Sequence, residues 1–384
     1  MRIFLTIVLL NIIIGGCNTS NNDNFIQKVS LQPTEEYSSH YIHRHIQLFP
    51  FGFWVLQIEN EAQFYYFSRL DTSMYIKSLI DSEVIDRIKL QPLFDSLKIS
   101  LNDLYGFYMP NSKEIWMKFY NYDNKFYNIF SFYPLKVNEF TFDNETFTAS
   151  SFFGNITIGR ITDSLFVAPL ISNNTDENHI RYPFGIFKIH EDEVSLINKA
   201  GYFPANYKAK NMHDNINHIT KISNDSILVS FLYNDTVDLY VKERLEKRIV
   251  LRSDSSKEFL GFNGSEYDIN AIKEFNLSTQ RYERLIYDKN NQLYYRIFTF
   301  NAQKTKKGKI EMSQVWSFNI FDTNFNKVGE QFFNSMDYDK FNIFIYDKSI
   351  FLINYSLSVF GKNMSDSSKI TFQKFNLIEN EKHN

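Results

Sequence analysis

One short pattern recurs along the chain: a polar turn followed directly by an apolar strand. Its clearest copy is Asn224-Asp225-Ser226-Ile227-Leu228-Val229-Ser230. Earlier copies read Pro50-Phe51-Gly52-Phe53-Trp54-Val55-Leu56, Asn111-Ser112-Lys113-Glu114-Ile115-Trp116-Met117 and Thr162-Asp163-Ser164-Leu165-Phe166-Val167. Later ones are Asn290-Asn291-Gln292-Leu293-Tyr294-Tyr295 and Asp347-Lys348-Ser349-Ile350-Phe351-Leu352. Their first strand residues (Trp54, Ile115, Leu165, Ile227, Leu293, Ile350) stand 61, 50, 62, 66 and 57 positions apart. Units of such steady length predict a repeat architecture, in which each unit buries its apolar surface on the next. Apolar residues are consecutive in these strands, not alternating, so both faces are expected to be covered. Four-stranded antiparallel sheets covered on both faces by their neighbours are the blades of a β-propeller. The expected fold is therefore all-β, a six-bladed propeller.

Within the units, turn residues separate short β-prone runs. The first unit is expected to hold strands at 41–48, 53–58, 64–70 and 74–79, and the fourth at 216–222, 227–232, 236–241 and 247–251. First strands are placed at 104–109, 156–161, 283–287 and 341–346 for the second, third, fifth and sixth units. The sixth unit runs out after a strand at 370–376, one strand short. An orphan strand at 25–31 is expected to pair with it and close the ring, which removes two exposed sheet edges. The long connections are 80–102, with a short helix or packed loop, 200–215 and 252–282. Inter-blade connections share one face, where long ones shape binding surfaces.

Composition supports a large core. Phe (39) and Tyr (24) dominate, while Gly (13) and Pro (8) are scarce, which favours strands over disorder. Lys and Arg (41) nearly balance Asp and Glu (44), so the basic footprint of a nucleic-acid binder is missing.

The N-terminus carries an address. Met1-Arg2 precedes an apolar run from Ile3 to Ile14, too short to span a bilayer and of the length of a signal-peptide core. It ends in Ile14-Gly15-Gly16-Cys17, and Cys17 is the one cysteine of the chain. Small residues before a cysteine resemble the lipobox of bacterial lipoproteins, in which the cysteine is acylated and becomes the mature N-terminus. Residues 1–16 are then a signal peptide, 17–24 a solvated tether and 25–384 a single propeller domain. The expected partners are a membrane, through the lipid, and an envelope protein or a glycan.

No Gly-x-Ser-x-Gly, His-Glu-x-x-His, Walker or Rossmann motif is present, so no catalytic residue, metal or cofactor is assigned. Candidate ligand-binding residues are polar groups of the first strands, which face the axial channel: His43, Arg44, His45, Arg160, His218, Lys221 and Arg284, joined by Arg296 from Tyr294-Tyr295-Arg296. They make the channel mouth locally positive and suited to an anionic or sugar ligand. Asp163, Asp225, Asp235 and Asp347 precede strands and read as turn formers.

The lipobox at Cys17, the Asp-Ser-strand units at Asp163 and Asp225 and the run Leu293-Tyr294-Tyr295-Arg296-Ile297-Phe298 together resemble a family of propeller lipoproteins of Bacteroidetes, a domain of unknown function related to TolB-like six-bladed propellers. The resemblance covers most of the mature chain. It implies the fold and a lipid-anchored place at the cell envelope, in a Gram-negative bacterium at the outer membrane, and lends no catalytic residues. The expected role is a binding or interaction module. The alternatives are a metal-dependent propeller hydrolase of lactonase or esterase type, which needs inward Glu, Asn and Asp, and a structural subunit of an envelope complex.

Overall fold

A computed structural model describes residues 28–42, 53–58, 61–68, 71–79, 83–100, 104–111, 114–121, 126–132, 137–142, 159–162, 164–169, 184–190, 193–206, 217–242, 244–262, 264, 268–301, 315–358 and 367–380. The expected lipidation site Cys17 and the cluster His43-Arg44-His45 lie outside them.

Among the described residues the strands assort into four-stranded antiparallel sheets, six of them, each but the last built from consecutive strands. The first holds β2 (Phe53–Ile58), β3 (Glu61–Ser68), β4 (Ser73–Ser78) and β5 (Val84–Lys89). The second holds β6 (Leu104–Asn111), β7 (Glu114–Asn121), β8 (Phe126–Phe132) and β9 (Val137–Phe142), and the third β10 (Gly159–Arg160), β11 (Leu165–Pro169), β12 (Phe184–His190) and β13 (Glu193–Ala200). In the fourth stand β14 (Asn217–Lys221), β15 (Ser226–Phe231), β16 (Thr236–Val241) and β17 (Arg244–Val250). The fifth has β18 (Arg281–Asp288), β19 (Leu293–Thr299), β20 (Val315–Phe321) and β21 (Lys327–Asn334). The last runs β22 (Tyr338–Tyr346), β23 (Ser349–Asn354), β24 (Ser367–Glu379) and then β1 (Val29–Ile42). This is an all-β antiparallel propeller with four-stranded blades.

Burial grades across each sheet as the pattern requires. All six residues of β23 are buried, as are Ile227 to Phe231 of β15, whereas β17 is exposed at six of its seven positions. Inner strands are covered on both faces and so lose the period-2 signal. The cores lie between sheets. Phe184, Val229, Tyr240 and Phe298 join the third, fourth and fifth. Leu31, Tyr295, Phe318, Ile350 and Phe375 join the fifth to the last, and Phe64, Phe351 and Phe372 join the last to the first. Each such side chain contributes about 2–3 kcal/mol on burial. Turns follow their chemistry. The carboxylate of Asp288 accepts the main-chain N–H groups of Asn290 and Asn291, and Asp347 and Lys348 both sit at positive φ (44° and 61°) in a tight hairpin.

Two expectations need correction. The N-terminal strand does pair with the last hairpin, but as a 14-residue strand in a different register: Val29 lies opposite Glu379, Leu31 opposite Leu377 and Ser39 opposite Ile370. Because it continues to Ile42, which faces Ser367, it takes Tyr41 and Ile42 away from the first sheet. That sheet consequently starts one strand later, at Phe53, and uses Val84–Lys89 as its fourth strand. The long connections hold helices: α1 (Gln91–Leu97) after β5, the short helix expected as one option within 80–102, and α2 (Ile269–Ser278) before β18, within 252–282. Asp268 caps α2 by accepting the N–H groups of Asn270 and Ala271.

Candidate functional site

The first strands of the sheets touch one another: β2 meets β22, β22 meets β18, β18 meets β14 and β14 meets β10. They are therefore the innermost strands, and polar groups on them meet near the axis.

Two of these strands are bulged where they carry charge. Between Tyr282, opposite Phe298, and Leu285, opposite Arg296, β18 has two residues, Glu283 and Arg284, against the single Ile297 of β19. Between Tyr338, opposite Asn354, and Ile343, opposite Leu352, β22 fits Asp339, Lys340, Phe341 and Asn342 against the single Ile353. A bulge breaks the alternation and re-aims neighbouring side chains. Here it brings Glu283 and Lys340 together in the interior, 6% exposed each. One oxygen of Glu283, Oε1, accepts from Lys340 Nζ at 2.8 Å, Arg281 Nε at 2.9 Å and Thr299 Oγ1 at 3.0 Å. Lys340 also donates to Thr299 Oγ1 at 3.0 Å.

The electrostatics follow from this geometry. Burial pushes the Glu283 carboxyl up, but Arg281 and Lys340 pull harder and hold its pKa at about 2, so it stays ionised. Burial lowers the Lys340 ammonium, against the pull of Glu283. Beside them, on β14, stands His218, 6% exposed. Its Nδ1 is buried and has no hydrogen-bond partner among the described residues. Burial, opposed by Glu283 and assisted by Arg284 and Arg296, lowers its pKa to about 4, so the ring is neutral at pH 7.

Of the residues singled out from the sequence, His218 and Arg284 reach this cluster. Arg284 is half-buried, and its Nη1 donates to the Ile343 carbonyl of β22 at 3.5 Å. Lys221, at the exposed end of β14, donates to the Ile161 carbonyl at 3.2 Å. Arg160 lies on β10 opposite Phe166. Arg296 does not face the channel. It sits on a second strand, is fully buried, and donates to four main-chain carbonyls around the fourth sheet: Asp235 at 2.7 Å, Leu251 at 2.7 Å, Asn234 at 2.7 Å and Phe231 at 3.3 Å. Its Cζ lies 3.5 Å from the ring centre of Tyr282. A guanidinium suits this cage because its planar fork of donors matches several carbonyls at once. Asp235 is likewise more than a turn former. Its Oδ1 accepts from Tyr282 Oη at 2.6 Å and Ser256 Oγ at 2.8 Å, tying the fourth sheet to the connection that leads into the fifth.

Glu283, Lys340 and Arg281 were not singled out. The only cue was their position at the start of first strands, and the bulges that turn them inward leave no mark in hydrophobic periodicity. Among the described residues no group of three or more His, Cys, Asp or Glu stands close enough to hold a metal ion, and no helix is long and apolar enough to cross a membrane.

A sequence profile of the domain of unknown function DUF4221 matches residues 55–332. Among solved structures, a DUF4221 family member from Bacteroides vulgatus superposes with a TM-score of 0.66 at 15% identity, covering 92% of this chain and 99% of that one. At that identity the likeness concerns the fold alone. More distant is a putative exported protein of Bacteroides fragilis, with a TM-score of 0.42 and 10% identity over 95% of this chain and 98% of that one. The virginiamycin B lyase of Staphylococcus aureus gives 0.37 and 12% over 88% and 99%. A search of curated protein sequences finds no match.

Proposed function

We propose, for a chain that belongs to the DUF4221 family, that it acts as a lipid-anchored binding module of the cell envelope and not as an enzyme. In this reading the sheets form one ring of six blades, closed where β1 pairs with β24. Cys17 carries the lipid, at the outer membrane of a Gram-negative cell. The ligand, a glycan or small anion, enters at the axial mouth beside the fourth, fifth and last sheets.

The observation that carries the reading is the bulged pair of inner strands. Two adjacent first strands give up regular pairing at the same place, and each does so where it turns charged side chains toward the axis. Regular strands would pack the centre at lower cost, since buried charge is expensive unless matched. The chemistry there also argues against a cation-dependent hydrolase. Arg281, Arg284 and Lys340 repel a divalent ion, and Glu283, held ionised by three donors on one oxygen, is a poor proton acceptor at neutral pH.

The test is a panel of acidic and neutral sugars titrated calorimetrically against the full chain in detergent, with divalent-metal analysis and ester and lactone hydrolysis assays alongside. Saturable binding without turnover is expected. Hydrolysis that is lost on chelation and restored by a divalent ion would reverse the reading in favour of the enzyme. Mass spectrometry of the N-terminal peptide checks the anchor, with a diacylated or triacylated Cys17 as the expected species.

A further inference from the structure

We propose that the face of the propeller built from the tight hairpin turns lies against the membrane, and that the face carrying the long connections points away from it. The orientation rests on the lipid-anchor reading and adds to it which surface meets the bilayer.

Strand direction defines the two faces. In each of the first five sheets, the turn from first to second strand and the turn from third to fourth fall at one end of the strands. The turn from second to third strand and the connection to the next sheet fall at the other end, where α1 and α2 also lie. Hydrogen bonds show that neighbouring sheets stand the same way up. At the turn face, Lys221 Nζ donates to the Ile161 carbonyl of the third sheet at 3.2 Å, and Asn291 Nδ2 to the Lys348 carbonyl of the last at 2.9 Å. At the connection face, the N–H of Tyr282 in the fifth sheet donates to the Leu232 carbonyl of the fourth at 2.8 Å.

The chain enters the fold at the turn face. β24 is the third strand of the last sheet and ends there, at Glu379. β1 pairs with it antiparallel and so begins there, with Val29 opposite Glu379. The entry point is pinned: the N–H of Lys28 donates to the Val328 carbonyl of β21, and its own carbonyl accepts from Asn380, both at 2.9 Å.

Reach then decides the orientation. The residues 17–27 separate the lipid from Lys28, and however they run they span at most about 40 Å. A strand such as β22, of nine residues, stands about 30 Å tall. The turn face can rest on the headgroups with most of that reach unused. Setting the connection face there would draw the tether past the whole rim, close to its limit and at a large cost in chain entropy. Surface chemistry agrees. The turn tips expose Asp225, Lys242, Lys289, Thr323 and Lys348, which suits apposition to hydrated headgroups and not insertion among acyl chains. Tyr202, Leu260 and Met336 are 59%, 61% and 66% exposed at the connection face. They stand on three different connections, and apolar residues scattered singly are ordinary surface.

The experiment places one fluorophore at a time on the full lipidated protein, bound to the outside of phosphatidylcholine vesicles that hold a trace of rhodamine-labelled phosphatidylethanolamine. Cys17 is the one native cysteine and its sulfur is blocked by the lipid, so an introduced thiol is labelled alone. Lys289→Cys and Thr323→Cys report from the turn face, Leu260→Cys and Met336→Cys from the connection face, and thermal unfolding establishes that each variant is folded. Energy transfer to the bilayer is expected to be at least about twofold higher from 289 and 323, which lie about one strand height nearer the membrane. Equal transfer from both faces, or higher transfer from 260 and 336, would overturn the orientation while leaving the anchor standing. Protein that fails to float with the vesicles and carries an unmodified Cys17 by mass spectrometry would remove the anchor, and the orientation with it.

Discussion

The molecule buries charge in two neighbouring places and treats it in opposite ways. Around Arg296 the guanidinium is enclosed by four carbonyls and the face of Tyr282. These partners belong to the fourth sheet, the connection after it or the strand beside it, and the guanidinium is sealed from solvent. At the inner strands, Glu283 is matched three times over on one oxygen, while the imidazole of His218 next to it keeps a nitrogen with no partner among the described residues. A guanidinium held by four carbonyls explains itself by stability, since a buried donor or acceptor left unmet costs about 1–3 kcal/mol. A buried imidazole nitrogen that meets no such partner among the described residues does not. That contrast separates architecture from site in a propeller whose sequence offers Arg and His alike.

The contrast can be broken most forcefully at Arg296. Arg296→Met is expected to destabilise by about 4 kcal/mol or more, because several carbonyls lose their donors inside the fold. A urea midpoint close to that of the parent protein would show that the cage is not structural.

Next comes the contact between the fifth sheet and the N-terminal strand. A Cβ on Gly329 would run into the carbonyl oxygen of Val29. Gly329→Ala should therefore cost about 1–3 kcal/mol as β1 is pushed from β21. The shift should appear in the thermal midpoint.

The pH dependence of stability sharpens the picture of the inner tier. His218 is kept neutral by burial, so below pH 6.5 the unfolded chain takes up a proton that the folded chain refuses until about pH 4. Stability is expected to fall across that window, and His218→Phe should flatten it. Glu283 acts one step lower. Its depressed pKa stabilises the fold above about 4.5, and that contribution disappears as pH drops toward about 2. Glu283→Gln should remove this second decline and carry the first to lower pH, because the carboxylate no longer supports the His218 imidazolium. Chemical denaturation at half-unit pH steps resolves the two, and one merged transition unaffected by either substitution would contradict the assignment.

The smallest effect is predicted for Lys221→Ala. This exposed lysine donates to the Ile161 carbonyl, and its loss should change stability by less than about 0.5 kcal/mol. A larger loss, measured by the same urea midpoint, would extend the site toward the third sheet.

Much of the blade layout was legible in the chain because turn chemistry and burial agree. The fourth sheet was read almost residue for residue: the strand expected at 236–241 is Thr236–Val241, and Asn224-Asp225-Ser226 marks the turn before β15. The first sheet was shifted by one strand because Tyr41 and Ile42 suit a blade strand as well as the far end of β1. Only the distant partners, Ser367 opposite Ile42 and Ser368 opposite Tyr41, decide between them. The site was harder to read. Arg296 and Arg284 both stand beside apolar strand residues, and nothing local tells a side chain between two sheets from one at the axis. Glu283 and Lys340 meet because two strands slip out of register, an event that depends on their neighbours and leaves no period to count.

The pairing of β1 with β24 sets the order of events in folding. Val29 lies opposite Glu379 and Asn380 donates to the carbonyl of Lys28, so β1 is made long before the strand it pairs with. The first five sheets can form from contiguous chain as it emerges, but the last can be finished only once β24 has been delivered. Closing so distant a contact is slow, and until then β24 and β1 each present an unpaired edge. Chaperones that hold such edges apart would act longest on this protein at its two ends.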